Sequence, residues 1–178
     1  MNEIIKTERL ILRQWKLTDC DELIKMNQDA KVMKYFLSIM SGKQSLEFYE
    51  RVQQHFKEHG FGLYVVEDKT NHQFMGYTGF MIANFESSFT PCVEIGWRFN
   101  AQYWGKGFAT EAANACLQYG YDTLGLKTIY SFTSVHNKKS EAVMQRIGMH
   151  KTGEFNHPKI EFTHFLCPHV IYKKELVS

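Results

Sequence analysis

The chain has 178 residues, 44% of them apolar and 15% aromatic, which suits a single α/β domain over residues 1–178 with an ample core. A net charge of +2 with no Lys/Arg run argues against a nucleic-acid partner, and no apolar run approaches membrane-spanning length. Cys20, Cys92, Cys116 and Cys167 form no CxxC pair and Met1-Asn-Glu-Ile-Ile-Lys has no signal-peptide pattern, so a cytoplasmic protein with reduced thiols is expected.

Arg9 to Trp15 alternates as a strand, with Leu10 and Leu12 on one side and Ile11 between arginines on the other. Thr18-Asp-Cys-Asp21 resembles a capping box and predicts a helix running to about Met33–Phe36. A second helix is expected from Ser45, with Phe48, Tyr49, Val52 and Phe56 as its stripe and Gly60 at its end. Leu63 to Asp68 and Phe74 to Phe85 read as a hairpin turning near Asn71-His72. Thr90 to Phe99 is a further strand, and it feeds the segment Gln102-Tyr-Trp-Gly-Lys-Gly-Phe-Ala-Thr-Glu-Ala112.

In that segment Gly105, Gly107 and Ala109 carry almost no side chain, so a ligand can approach the backbone amides. A helical pattern follows, with Ala109, Ala112, Ala113, Cys116 and Leu117 on one face and Glu111, Asn114, Gln118 and Asp122 on another. A helix N-terminus offers free N–H groups and a positive dipole end, and Lys106 adds a charge. The pattern is neither a Walker loop nor the dinucleotide fingerprint. Taken alone it also fits a tight turn that only starts a helix. Thr128 to Val135 reads as the next strand, followed by an Asn137 turn and a short helix with the stripe Val143, Met144 and Ile147 and a Gly148 cap. One or two strands close the chain, giving the order βααβββαβαββ.

These two segments resemble the GNAT superfamily of acyl-CoA-dependent N-acetyltransferases, above all the Rim-type branch that includes ribosomal-protein N-terminal acetyltransferases. Thr7-Glu-Arg-Leu-Ile-Leu-Arg13, Val93-Glu-Ile-Gly-Trp97 and His169-Val-Ile-Tyr172 fit that branch in the same order. The resemblance implies a mixed, mainly antiparallel twisted sheet with helices on both faces. It implies acetyl-CoA as cosubstrate, with the pyrophosphate on the amides of Trp104, Gly105, Lys106, Gly107, Phe108, Ala109 and Thr110. It places the pantetheine arm along Trp97, Arg98 and Phe99, on a strand splayed from its neighbour, with Asn137 and Ser140 also on the cofactor. Trp104 stands where many members carry Arg or Gln; its indole is expected to pack beside the loop.

An amine nucleophile must lose a proton, its pKa being about 8 for an α-amine and about 10 for a lysine. Glu94, pointing away from Val93 and Ile95, is the candidate base, its pKa raised by crowding from Tyr77, Trp97 and Phe99; an ordinary half-exposed strand glutamate is the alternative. Many members protonate the leaving thiolate with a tyrosine seven residues after the asparagine, where this chain has Met144. Ser140, three residues after Asn137, is carried over from the Rim-type pattern as donor to the sulfur, or else only caps the helix with Asn137.

The resemblance places the acceptor against Tyr35, Phe36 and Tyr77, with Leu37 and Met40–Gly42 nearby and His157 and His164 from the tail; core aromatics and ordinary loop histidines are the alternative. The tail histidines lack metal-site spacing, so no metal is expected. Acidic residues are scattered at Asp19, Asp21 and Glu22, so no polyamine-type acidic pocket is indicated. Cys92 shares a side with Glu94, but direct transfer to a protein N-terminus or small-molecule amine, by a monomer or homodimer, is favoured over an acyl-enzyme. A silent acyl-CoA sensor is the competing reading, and a phosphate- or nucleotide-binding regulator ranks last.

Overall fold

A computed structural model describes residues 3–176. In chain order it contains β1 (Glu3–Lys6), β2 (Leu10–Arg13), α1 (Cys20–Gln28), α2 (Gly42–His59), β3 (Leu63–Asp68), β4 (Phe74–Ala83), β5 (Cys92–Phe99), α3 (Phe108–Asp122), β6 (Thr128–Ser134), α4 (Lys138–Arg146), β7 (His150–Asn156) and β8 (Pro168–Glu175). The eight strands form one sheet in the order β1-β2-β3-β4-β5-β6-β8-β7. All neighbours are antiparallel except β5 and β6. The mixed, mainly antiparallel sheet with helices on both faces is as expected, with one strand more than the order read from the sequence.

That extra strand is β1, a four-residue edge segment that pairs with β2 through Ile5–Leu12 and Lys6–Ile11. Its hairpin partner β2 is buried throughout. Leu10 and Leu12 join the core under α3 and α4. Arg13 is instead taken up by a buried ion cluster, donating to both Asp19 oxygens at 2.8 Å and to Glu67 at 2.6 Å. Asp19 also accepts the Lys16 N–H at 2.7 Å. The expected capping box at Thr18–Asp21 is therefore replaced by a 3-10 turn, Leu17–Asp19, anchored by an ion pair.

Helix α1 ends at Gln28, well short of the expected Met33–Phe36. The reason is local. Asp29 is extended (ψ 112°) and its carboxylate accepts the Lys31 N–H at 2.8 Å. Residues 30–38 then run as turns, and the Met40 N–H returns to the Asn27 carbonyl at 3.0 Å. Helix α2 starts three residues earlier than expected because Ser41 and Gln44 form a reciprocal capping box. Gly60 ends it in the left-handed conformation (φ 76°). Gly148 (φ 76°) closes α4 likewise, with Met149 N–H on Met144 and Gly148 N–H on Gln145, both at 3.0 Å.

The two faces of the sheet carry different layers. Ala112, Ala113, Cys116 and Leu117 of α3, with Val143, Met144 and Ile147 behind α4, pack on Phe80, Ile95, Phe99, Val170 and Tyr172. On the other face Leu23 and Met26 of α1 and Val52 of α2 cover Leu63, Val65 and Tyr77. Side chains alternate between these faces along β5, so Ile95, Trp97 and Phe99 belong to the first layer and Glu94 and Arg98 to the second.

Candidate active site

Strands β5 and β6 start together and then part. Among the described residues they pair at one point, Glu94 opposite Tyr130. Ser131 Oγ donates to the Ile95 carbonyl at 2.9 Å, and no ladder joins the strands beyond that. On the other side β5 is fully laddered to β4, and just past the Gly76–Phe99 pair the Asn100 N–H donates to the Met75 carbonyl at 2.9 Å. Antiparallel bonding recurs every second residue. Glu94, Gly96 and Arg98 therefore direct their main-chain groups at β4, and Ile95, Trp97 and Phe99 direct theirs at the wedge. The Ile95 carbonyl takes Ser131, and the Phe99 carbonyl takes the Trp104 indole N–H at 2.9 Å. The N–H groups of Trp97 and Phe99 remain along the wedge as strand-edge donors that an extended amide-bearing ligand can pair with.

The wedge opens onto the glycine loop. Gly105 (φ 74°) and Gly107 (φ 81°) both adopt the left-handed conformation that glycine takes without a Cβ clash. Gly107 is the N-cap of α3 and no side chain bonds the first turn, so the Phe108, Ala109 and Thr110 amides form an anion cradle at the dipole end of a 15-residue helix. Trp104 packs beside the loop as expected, with Lys139 Nζ 4.6 Å above its ring.

The loop is clamped from behind by Thr7 and Arg9. Arg9 Nη1 donates to the Lys106 carbonyl at 3.0 Å, its Nε to Glu111 at 2.6 Å and its N–H to Glu111 at 3.0 Å. Thr7 Oγ1 donates to Glu111 at 2.6 Å, and the Arg9 guanidinium lies 4.3 Å from the Phe108 ring centre. Burial alone pushes the Glu111 carboxyl up, but the Thr7 and Arg9 bonds outweigh it and hold the group below the usual carboxylate range. Arg9 thus offsets a carboxylate that would otherwise repel an anion at the helix start.

Glu94 stands on the opposite face of β5 from α3, beside Met81 in register and near Tyr77. No described residue gives it a hydrogen bond or ion pair, and burial pushes its carboxyl up to about 8. Tyr77 and Met81 border it, whereas Trp97 and Phe99, expected to crowd it, point into the α3 layer. His157 and His169 lie further along, with ring centres 5.0 Å apart. Burial, then the nearby His169 and Lys159, lowers His157 to about 4. Burial also lowers His169, against the bond its Nδ1–H donates to the Cys167 carbonyl at 3.0 Å. The wedge, the loop and this side make one continuous cleft of about 1510 Å³.

The family model for the acetyltransferase (GNAT) domain matches residues 9–150. The chain belongs to the GNAT acetyltransferase family. YkkB of Bacillus subtilis strain 168 is 34% identical over 122 residues, which span 68% of this chain and 70% of YkkB. A GNAT-family acetyltransferase from Bacillus anthracis superposes with a TM-score of 0.79 at 26% identity, covering 96% of this chain and 97% of that one. RimL, a ribosomal-protein α-N-acetyltransferase solved with coenzyme A, shares the fold at 14% identity, with a TM-score of 0.77 over 98% of each chain. The likeness to RimL is one of fold, and the chain is an acyltransferase of the GNAT family.

This GNAT cleft gathers Tyr35, Phe36, Tyr77, Glu94, Trp97, Arg98, Phe99, Trp104, Gly105, Gly107, Phe108, Ala109, Thr110, Asn137, Ser140 and His157. Three expectations need correction. Lys106 does not line the cleft; its carbonyl faces Arg9 on the outer side. His164 is turned away, stacked on Phe165 with its Nδ1 accepting the Leu166 N–H at 3.1 Å, and His169 takes its place. Arg98 sends its side chain toward Phe36 and Asn27, away from the β5–β6 wedge, because it shares the face of Glu94. Asn137 caps α4, accepting the Ser140 N–H at 3.3 Å and donating to Thr133 Oγ1 at 3.1 Å. The Ser140 hydroxyl has no partner among the described residues and lines the cleft. Met144 is buried in the core. The Thr7–Arg9–Glu111 clamp escaped the sequence reading, which placed Glu111 with Asn114, Gln118 and Asp122 on the second face of the helix; its position one turn after Gly107 was the available signal.

Proposed function

We propose that residues 1–178 form one acetyl-CoA-dependent N-acetyltransferase domain that moves an acetyl group to a primary amine by direct attack. The observation that carries this reading is the wedge between β5 and β6, which ends on an uncapped helix N-terminus and has an uncharged-poised Glu94 on its far side. A pantetheine arm with a pyrophosphate at one end matches that layout: strand-edge donors along the wedge, a glycine cradle at its mouth, and enough volume for both. When bound, acetyl-CoA supplies an activated acetyl thioester. The amides of Trp104, Gly105, Gly107, Phe108, Ala109 and Thr110 take the pyrophosphate, and Trp97 and Phe99 pair with the arm. The Trp97 N–H donates to the thioester oxygen as negative charge develops there, an interaction worth roughly 2–4 kcal/mol per donor.

Glu94 accepts the amine proton, directly or through a water, as the N–C bond forms and the C–S bond breaks. The Ser140 hydroxyl donates a hydrogen bond to the departing sulfur; the proton that finally neutralises the thiolate comes from solvent. Four free thiols suit a cytoplasmic setting, and no helix among the described residues is long and apolar enough to cross a membrane.

Direct attack makes a specific demand on Cys92. Burial and the neighbouring Glu94 push its thiol up to about 11, leaving little thiolate to serve as a nucleophile at neutral pH. Cys92→Ala retains kcat within about twofold of the parent in steady-state thiol release, whereas a loss on the order of a hundredfold would restore an acyl-enzyme. Calorimetric titration tests the cosubstrate itself. Acetyl-CoA and CoA bind and ATP does not, and Gly107→Val weakens acetyl-CoA binding by roughly tenfold or more through its left-handed φ at the cradle. Equal binding of ATP, or silence with acetyl-CoA, would remove this reading.

A further inference from the structure

Arg98 lies four residues beyond Glu94 on the same face of β5 and is only 9% exposed. Its Nη1 donates to Asn27 Oδ1 at 2.6 Å, and Asn27 is itself fixed by donating from Nδ2 to Ser45 Oγ at 3.0 Å. Its Nε is buried without an acceptor. Among the described residues no carboxylate pairs with Arg98 and none accepts from its Nη2. The guanidinium is flanked by aromatic faces, 4.2 Å from the Phe36 ring centre and 5.4 Å from that of Tyr77. Those faces recover part of the cost of burying a charge, but not all of it. The Nε/Nη2 edge remains for a bidentate partner, and Arg98 lines the cleft.

The other charges on this side point the same way. Lys31, Lys34 and Lys159 also line the cleft. Its two carboxylates are Glu94, which is mostly protonated at neutral pH, and Glu111, which is occupied by Arg9. A polyamine would bring further cations into this field without a counter-charge. Resting on the acetyltransferase reading above, we infer that the acceptor is an amine that also carries a carboxylate, an amino acid or close derivative, and that Arg98 binds that carboxylate while Glu94 receives the amine. The planar fork of arginine matches a carboxylate edge-on. The two Cα atoms stand about 13 Å apart along the strand, and both long side chains shorten that gap. An amine and a carboxylate separated by several bonds suit the arrangement.

The test is calorimetric titration of the CoA-bound protein with ω-amino acids of increasing chain length, their carboxamides, and spermidine. The acids bind roughly ten- to a hundredfold more tightly than the matched carboxamides, and spermidine binds weakly. Arg98→Met erases the preference and Arg98→Lys keeps part of it, with thermal melting to check that each variant is folded. If neither variant folds, the acid-to-carboxamide ratio in the parent protein decides. Equal binding of acids and carboxamides, no binding of either, or tighter binding of spermidine would overturn the inference. Thiol release separates the two readings. Carboxamides or spermidine acetylated as well as the acids would sink the Arg98 role and leave acetyl transfer standing. Acids bound selectively without thiol release would sink acetyl transfer and leave the Arg98 site.

Discussion

Glu94→Gln lowers kcat/KM by about 10²–10⁴-fold, the usual contribution of a positioned general base. The parent activity rises with pH through about 8, where the Glu94 carboxyl ionises, and the variant retains only the titration of the amine itself. Stability moves the opposite way. The folded-state value lies above the ordinary 4.5, so between 4.5 and about 8 the folded chain holds a proton that the unfolded chain has released. Stability from this group is therefore full below 4.5, falls as pH rises to about 8, and is level above it. Glu94→Gln removes that dependence. The variant melts at a higher temperature than the parent at pH 9, and the gap closes toward pH 4.5, as followed by circular dichroism. A variant that loses activity with an unchanged pH profile would deny Glu94 the base role.

Gly76→Ala costs on the order of 3 kcal/mol or more, a fall of about 6–12 °C in Tm for a chain of this length. Gly76 has a φ of 153°, and a Cβ there would lie 2.1 Å from the Arg98 carbonyl oxygen and 2.7 Å from Phe99 Cα. Backbone atoms on the facing strand cannot yield as a side-chain tip can, and the strand that would be displaced is the one that presents Trp97 and Phe99 to the wedge. Acetyl-CoA affinity falls with stability. Gly96→Ala is the comparison: nothing lies within 4 Å of its added Cβ, and its Tm stays within a few degrees of the parent. Equal melting of both variants would mean that the β4–β5 approach is not a constraint.

Local chemistry was legible where one residue type has one physical use. The glycines before α3, the alternating Val93–Trp97 segment and the capping glycines Gly60 and Gly148 all stand where their conformational roles put them. Three features were illegible because a distant partner decides them. Asn27 in α1 carries no signal of its own in the sequence, yet its side chain is claimed by Ser45 and Arg98, from another helix and from β5. Asp19 has the look of a helix cap, yet it serves as the counterion of Arg13. Glu111 falls on a polar stripe, and only the hairpin returning Thr7 and Arg9 to the start of α3 makes it a clamp. Strand β1 escaped for a simpler reason: four residues are too few to display an alternation. The parting of β5 and β6 came from family resemblance, since it depends on which pairs fail to form.

The central claim is that this cleft transfers acetyl from a CoA thioester to an amine. The most direct measurement follows thiol release from acetyl-CoA with and without a panel of amino acids, peptides and amines, with mass spectrometry of the acceptor. Amine-dependent release matched mole for mole by an N-acetylated acceptor is the predicted result. Tight acetyl-CoA binding without amine-dependent release across the panel would contradict it.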